Sequence, residues 1–208
     1  MRALVGCEYS GRTRQALRNL GVDAWSCDLL PSDDNSPHHH QGDVLALLSE
    51  GWDLAIFHPP CTHLAVSGAA HFARKRASGE QQSALDFVRT LMACKFPWAL
   101  ENPVSIISTA IRKPNQIIHP WQFGHPEQKT TCLWLHDLPP LVPTKNVREE
   151  MLALPKHQRE RLHYLSPGPD RWKERSRTFL GIAQAMAEQW TSAAIEKGGA
   201  NGKVKVPA

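Results

Sequence analysis

Asp53-Leu54-Ala55-Ile56-Phe57-His58-Pro59-Pro60-Cys61 is the stretch on which the fold turns. Its short apolar centre reads as a buried parallel strand. Two consecutive prolines then stop it, because neither can donate to a sheet ladder. Cys61 is therefore held on a stiff loop at the carboxyl end of a strand, where open α/β sheets bind their ligands. Rigid placement of a thiol suits nucleophilic catalysis. Taken alone, the same cysteine would fit an inert core position equally well. The neighbouring segments decide between the two.

Working outward, the chain alternates strands and helices. Ala3 to Gly6 reads as a first strand, and Thr13 to Leu20 as a helix stopped by Gly21. Asp23 to Cys27 reads as a second strand ending at Asp28, followed by a loop over Leu29 to Gln41. Val44 to Leu48 suits a short helix. Gln81 to Lys95 carries Leu85, Val88, Leu91 and Met92 at helical spacing. Trp98-Ala99-Leu100 is another buried strand, ended by Glu101-Asn102-Pro103. This order predicts an α/β fold with a mostly parallel, doubly wound sheet. Asp28, Asp43, Cys61 and Glu101 then fall at the carboxyl ends of strands or in the loops beside them, on one rim of the sheet.

Composition narrows the class. At 208 residues the chain supports one substantial core. No stretch approaches the ~20 apolar residues of a membrane span, and the start runs directly into a strand instead of a signal peptide. The five cysteines are scattered, with no Cys-x-x-Cys pair, which argues for a reducing cytoplasm and against a disulfide framework or zinc ribbon. Pro60-Cys61 lacks the second cysteine of a zinc deaminase motif, since position 64 is Leu. Adjacent histidines such as His38-His39-His40 rarely share one metal geometry, so no metal is expected. From Lys145 to Arg177 nine Lys or Arg face five acids, an excess equal to the net charge of +4. A localised basic segment suits phosphate contacts, although a solvated helical face would look similar. Trp172, between Arg171 and Lys173, is placed to stack on a base or sugar.

The order of these pieces resembles the cytosine-C5 DNA methyltransferases, in particular short phage- or prophage-type members. Glu8-Tyr9-Ser10-Gly11 resembles the first S-adenosylmethionine (SAM) motif, and Gly42-Asp43-Val44 the motif whose aspartate meets the adenine. Asp28 resembles the acid that holds the ribose hydroxyls. Pro59-Pro60-Cys61 is similar to the catalytic motif and Glu101-Asn102 to the Glu-Asn-Val motif. Gly124 to Thr131 is similar to Gly-x-Pro-Gln-x-Arg-x-Arg, and Gly181-Ile182-Ala183-Gln184 is a weaker echo of the last motif. The resemblance covers roughly residues 3–135.

It implies a Rossmann-like SAM-dependent methyltransferase fold, DNA as partner and SAM as cofactor. Glu8, Tyr9, Ser10, Gly11, Asp28, Asp43 and Pro59 would line the cofactor site. Cys61, carried by Pro60, would add to C6 of cytosine and make C5 enamine-like. Glu101 would hydrogen-bond N3 and the 4-amino group, which requires a proton and hence burial to raise its pKa. Asn102 would orient the loop.

Four departures stand out. Arg12-Thr13-Arg14 replaces further glycines, leaving an arginine to reach the SAM carboxylate. Thr62 follows the cysteine where glutamine is common. Lys129 and Thr131 replace two arginines, for which Arg175 and Arg177 could substitute from the other side. About 40 residues separate Pro140 from Gly181, too few for a large target-recognition domain.

The division expected is a SAM-binding catalytic core at 1–140, a basic insertion at 141–178, a returning C-terminal helix at 179–196 and a disordered tail at 197–208. Lys129, Arg171 and Lys173 are the DNA-contacting candidates. The alternatives are an amino-methyltransferase, a methyltransferase of free cytosine nucleotides and an inactive SAM or DNA binder.

Overall fold

The computed structural model describes residues 1–201, with side chains to Ile195. The chain begins β1 (Arg2–Gly6), α1 (Arg12–Asn19), β2 (Asp23–Asp28), β3 (His39–Gln41) and β4 (Leu54–Phe57). It continues through α2 (Phe72–Ala77), α3 (Glu80–Met92), β5 (Trp98–Pro103), α4 (Ile107–Ala110), β6 (Gln116–Ile118) and β7 (Thr131–His136). Four short helices follow: α5 (Arg148–Ala153), α6 (Lys156–Arg159), α7 (Arg161–Tyr164) and α8 (Arg171–Ser176). The long α9 (Leu180–Asn201) comes last, running past the expected end at 196. Residues 202–208 of the expected tail lie outside the described residues.

The strands form one sheet in the order β3-β2-β1-β4-β5-β7-β6. β1 to β5 are parallel where they pair, and β7 runs antiparallel to both β5 and β6. The architecture is therefore α/β with a mostly parallel sheet. From β1 the chain winds outward to β3, then returns to β4 on the opposite side. That reversal places the ligand-binding crevice of such a sheet at the carboxyl ends of β1 and β4.

Side chains alternate across the sheet with period 2 and fill two cores. Val5, Ile56, Ala99 and Leu133 pack with Leu17 of α1 and with Met186 and Trp190 of α9. Leu4, Phe57, Leu100 and Trp134 pack on the other face with Leu85, Val88 and Leu91 of α3. Met186 and Trp190 are thus core, each contributing on the order of 1.5–3 kcal/mol by its removal from water, while Glu188 between them is exposed. Gly6 is fixed by space: a Cβ there would stand 2.7 Å from the Phe57 ring and 2.8 Å from Val44.

Two segments depart from the sequence expectation. His39–Gln41, expected inside a loop, forms β3 on the sheet edge. His39 Nε2 meets the Leu30 carbonyl oxygen at 2.9 Å and so carries the proton, while Nδ1 meets Ser26 Oγ at 2.9 Å. Glu101-Asn102-Pro103, expected beyond a strand, belongs to β5 because β7 pairs across it as far as Pro103.

Candidate active site

Cys61 is set by constraints on either side of it. The His58 amide donates to the Gly6 carbonyl oxygen at 2.9 Å, extending the β1–β4 pairing by one residue. The buried Pro59 follows, and its carbonyl oxygen accepts from Asn102 Nδ2 at 2.9 Å. Asn102 is itself only 1% exposed, so the Pro-Pro turn is fastened to β5. Beyond it, the Cys61 carbonyl oxygen accepts from the Leu64 and Ala65 amides. Lys75 and Gln81 then hold the carbonyls of Thr62 and His63. The thiol stands on the open rim. Enough protein surrounds it that desolvation raises its pKa, with Glu101 adding to the rise and Lys129 and Arg175 opposing it.

Glu101 faces the same place from the next strand. Its side chain is 15% exposed, and His58 Nδ1 lies 3.4 Å from Oε2. The expected raised pKa is not found. Burial does push the carboxyl up, but the His58 hydrogen bond, the Lys129 charge and the Thr131 hydroxyl outweigh it and leave it below the usual value. In the unliganded protein near neutral pH, the proton therefore resides on the thiol and Glu101 is a carboxylate.

The loop after β1 is rigid. Gly11 adopts φ 68°, where a side chain would be strained and would strike the Arg14 guanidinium. The buried Glu8 carboxylate accepts from the Thr13 amide at 2.7 Å and the Arg14 amide at 3.1 Å, closing the amino terminus of α1. Neither arginine of this segment is directed to the rim. Arg12 donates to the Thr178 carbonyl oxygen at 2.9 Å. Arg14, fully buried, binds Ser26 Oγ at 2.8 Å and pairs with Asp34, tying α1 to the β2–β3 loop. An arginine reaching a ligand carboxylate from here is thus not what the geometry provides.

Asp28 and Asp43 lie on the same rim. Asp28 accepts from the Leu30 amide at 3.0 Å, and burial raises its pKa. Asp43 is exposed and accepts from the Leu45 amide at 2.9 Å, capping a 3₁₀ turn over Val44–Leu47. Neither forms an ion pair with Lys or Arg among the described residues. Burial also raises the thiols of Cys7 and Cys27, helped by Asp28, and Cys27 is pushed up to about 12.

The basic segment closes against this loop. The Tyr9 hydroxyl lies 3.1 Å from both the Lys173 carbonyl oxygen and Ser176 Oγ, and its ring packs 5.6 Å from that of Trp172. Trp172 remains 48% exposed. Lys129 donates to the Arg175 carbonyl oxygen at 3.1 Å, so Lys129 and Arg175 reach Cys61 as a unit. Arg177, the expected second substitute arginine, is turned away: it pairs with Asp33 at 2.6 Å and with Glu174. Lys173 pairs with Asp170 at 3.3 Å, and Arg171 donates to the His163 carbonyl oxygen.

The structure therefore brings together Cys61, Glu101, Asn102, Lys129 and Arg175, with the Tyr9, Asp28 and Asp43 loops alongside. His58 and Asp33 also belong to this network and were not singled out from the sequence, and Thr131, noted there only as standing in an arginine's place, hydrogen-bonds Glu101. Strand parity could have flagged His58, since it falls on the face of Ile56, as Glu101 falls on that of Ala99. Among the described residues no cluster of His, Cys, Asp or Glu is suited to a metal, and no helix is long and apolar enough to cross a membrane. A groove of about 350 Å³ between α1 and α9 includes Ser10 and Gly11 but neither Cys61 nor Glu101. No protein-family model matches the chain, and no curated protein matches it.

Proposed function

We propose that the protein transfers a methyl group from SAM to C5 of cytosine in DNA, through a covalent bond between Cys61 and C6 of the base. The observation that carries this reading is the meeting of Cys61, Glu101 and Asn102 at the adjoining ends of β4 and β5, beside the sheet reversal. C5 of cytosine is a poor nucleophile, and addition of sulfur at C6 is what activates it. Glu101 would serve N3 and the 4-amino group. Asn102 would hold the turn that carries the thiol. Lys129 and Arg175 would stabilise the thiolate.

The rim around β1 to β3 suits SAM in its chemistry. Asp28 and Asp43 are carboxylates without a Lys or Arg ion pair among the described residues, suited to ribose hydroxyls and an adenine amino group. SAM would supply an electrophilic methyl group. In duplex DNA the target base must first leave the stack, at a cost of a few kcal/mol.

One observation favours a smaller substrate. In the basic segment Lys173, Arg177 and Arg161 are already paired with acids, which reduces the charge available to a phosphate backbone. A free cytosine nucleotide is the second reading.

Cys61→Ser tests the chemistry. Nucleoside mass spectrometry should find 5-methylcytosine in DNA treated with the wild type and none with the variant. DNA bearing 5-fluorocytosine should trap the wild type covalently. Full transfer by Cys61→Ser would reject the covalent route and favour amino-methylation, and turnover of dCMP matching that of DNA would move the substrate to the nucleotide.

A further inference from the structure

His58 sits where a strand end, a proline turn and a carboxylate meet, and it has one nitrogen too many for an inert residue. Its backbone is pinned by the bond to Gly6, and the next residue is pinned by Asn102. Its side chain is 8% exposed and points across the sheet to Glu101 Oε2 at 3.4 Å. Nδ1 is thus committed, while Nε2 is buried without a hydrogen-bond partner among the described residues. An orphaned ring nitrogen costs free energy in a core, whereas a leucine or valine would be free of that penalty. A histidine kept here is explained by what its other nitrogen does.

We propose that His58 is a positioning residue for the C5 chemistry: it holds the Glu101 carboxyl toward the target base and keeps it ready to take the proton that Cys61 gives up. The inference rests on the methyltransferase reading above and adds to it the source of the proton that Glu101 must donate. In the resting site the thiol carries the proton and Glu101, accepting from His58 Nδ1–H, carries none. As sulfur bonds to C6, the thiol proton passes to the Glu101 carboxylate and on to N3. The C5–C6 π pair moves toward C4 and N3, and the carboxylate is restored. C5 can then accept a hydron from water, and the hydroxide left behind later takes up whichever C5 hydrogen is lost. Loss of either C5 hydrogen, expulsion of sulfur and return of the N3 proton through Glu101 regenerate thiol and base. No outside oxidant or base is consumed, and SAM takes no part in this exchange.

The charged and titratable groups that face Glu101 are His58 from β4, Cys61 and Lys129 from the flanking loops, and Thr131 and Cys132 from β7. Arg175 acts on Cys61 from α8. His58 is the only histidine in that set, so its removal has a distinct signature. Glu101 then loses a hydrogen bond that favours its ionised form, and the acid limb of the exchange profile moves to higher pH.

The test is exchange of the cytosine C5 hydrogen of DNA with deuterated water, followed by mass spectrometry across pH, without SAM. His58→Ala should slow exchange roughly 10- to 100-fold, the usual weight of a hydrogen bond to a charged group, and raise the acid limb. His58→Asn, whose Nδ2 can replace Nδ1–H, should restore most of the rate and return the limb toward its wild-type position. Its thermal melt, read beside that of the wild type, guards against loss of fold. Wild-type exchange in His58→Ala, or slowing with an unmoved limb, would overturn the proposal alone. Failure of His58→Asn to restore either quantity while folded would also overturn it. Absence of exchange in the wild type would overturn the methyltransferase reading and this proposal with it.

Discussion

Cys61 and Glu101 hold opposite bias: burial raises the thiol, while His58, Lys129 and Thr131 overcome burial to lower the carboxyl. Two like charges side by side would each disfavour the other, so a site that carries one proton between them is the arrangement of lower energy. Lys129 is the cation that acts on both. Its removal should raise Cys61 further, because an opposing influence is lost. At a fixed pH of about 8, below the thiol's raised pKa, the thiolate fraction falls about tenfold for each pH unit by which that pKa rises. Lys129→Ala should therefore react more slowly with iodoacetamide at Cys61 than the wild type. An unchanged rate would remove Lys129 from the site. Cys27, buried with its thiol pushed up to about 12, should stay unmodified in both and serve as the internal reference.

At the scale of elements, the parts readable from the sequence were those that apolar patterning dictates. β4 declares itself in Leu54 to Phe57, all buried, and α3 in the spacing of Leu85, Val88 and Leu91. β3 does not, because an edge strand pairs on one side only, and its polar residues are held by Ser26 and the Leu30 carbonyl instead of by burial. The end of β5 was hidden for a related reason: Glu101, Asn102 and Pro103 resemble a turn until β7 arrives antiparallel from 30 residues downstream. The candidate site divides in the same way. Cys61 and Asn102 could be placed from the prolines and the strand before them. The pairing of Arg177 with Asp33, and the lowered Glu101, depend on contacts between distant segments that no local pattern encodes. Glu8 shows how a motif residue can also be structural. Its buried carboxylate closes the start of α1, so Glu8→Ala should destabilise the fold by about 1–3 kcal/mol in urea unfolding. A variant as stable as the wild type would show that water satisfies those amides equally well.

For the whole molecule, the basic segment folds onto the rim that carries Cys61 and Glu101 instead of standing apart as a separate body. Tyr9 binds α8, Arg177 binds Asp33 and Lys129 binds the Arg175 carbonyl. Arg171 and Arg175 are two of the five basic side chains of this segment outside described ion pairs, with Lys145, Lys156 and Arg159. Replacing both by alanine should flatten the log-affinity against log-salt slope by about 0.9 per residue on duplex DNA, equally for all sequences. Arg177→Ala should change that slope little, since its charge is already matched by Asp33 and Glu174. A slope unmoved by the double replacement would place the DNA surface elsewhere, and a shallow wild-type slope would favour the nucleotide.

The order in which the layers close bears on how the chain is made. β6 bonds to the sheet only through β7, which is translated after it. The face carrying Val5, Ile56 and Leu133 waits for Met186 and Trp190 of α9. At about 5–20 residues per second, a ribosome needs roughly 2–10 s to pass from the end of β7 to Met186, during which that face has α1 but lacks α9. The assembled sheet thus presents part of an apolar face to solvent until its last helix arrives, and that interval is when the nascent chain is open to mispairing.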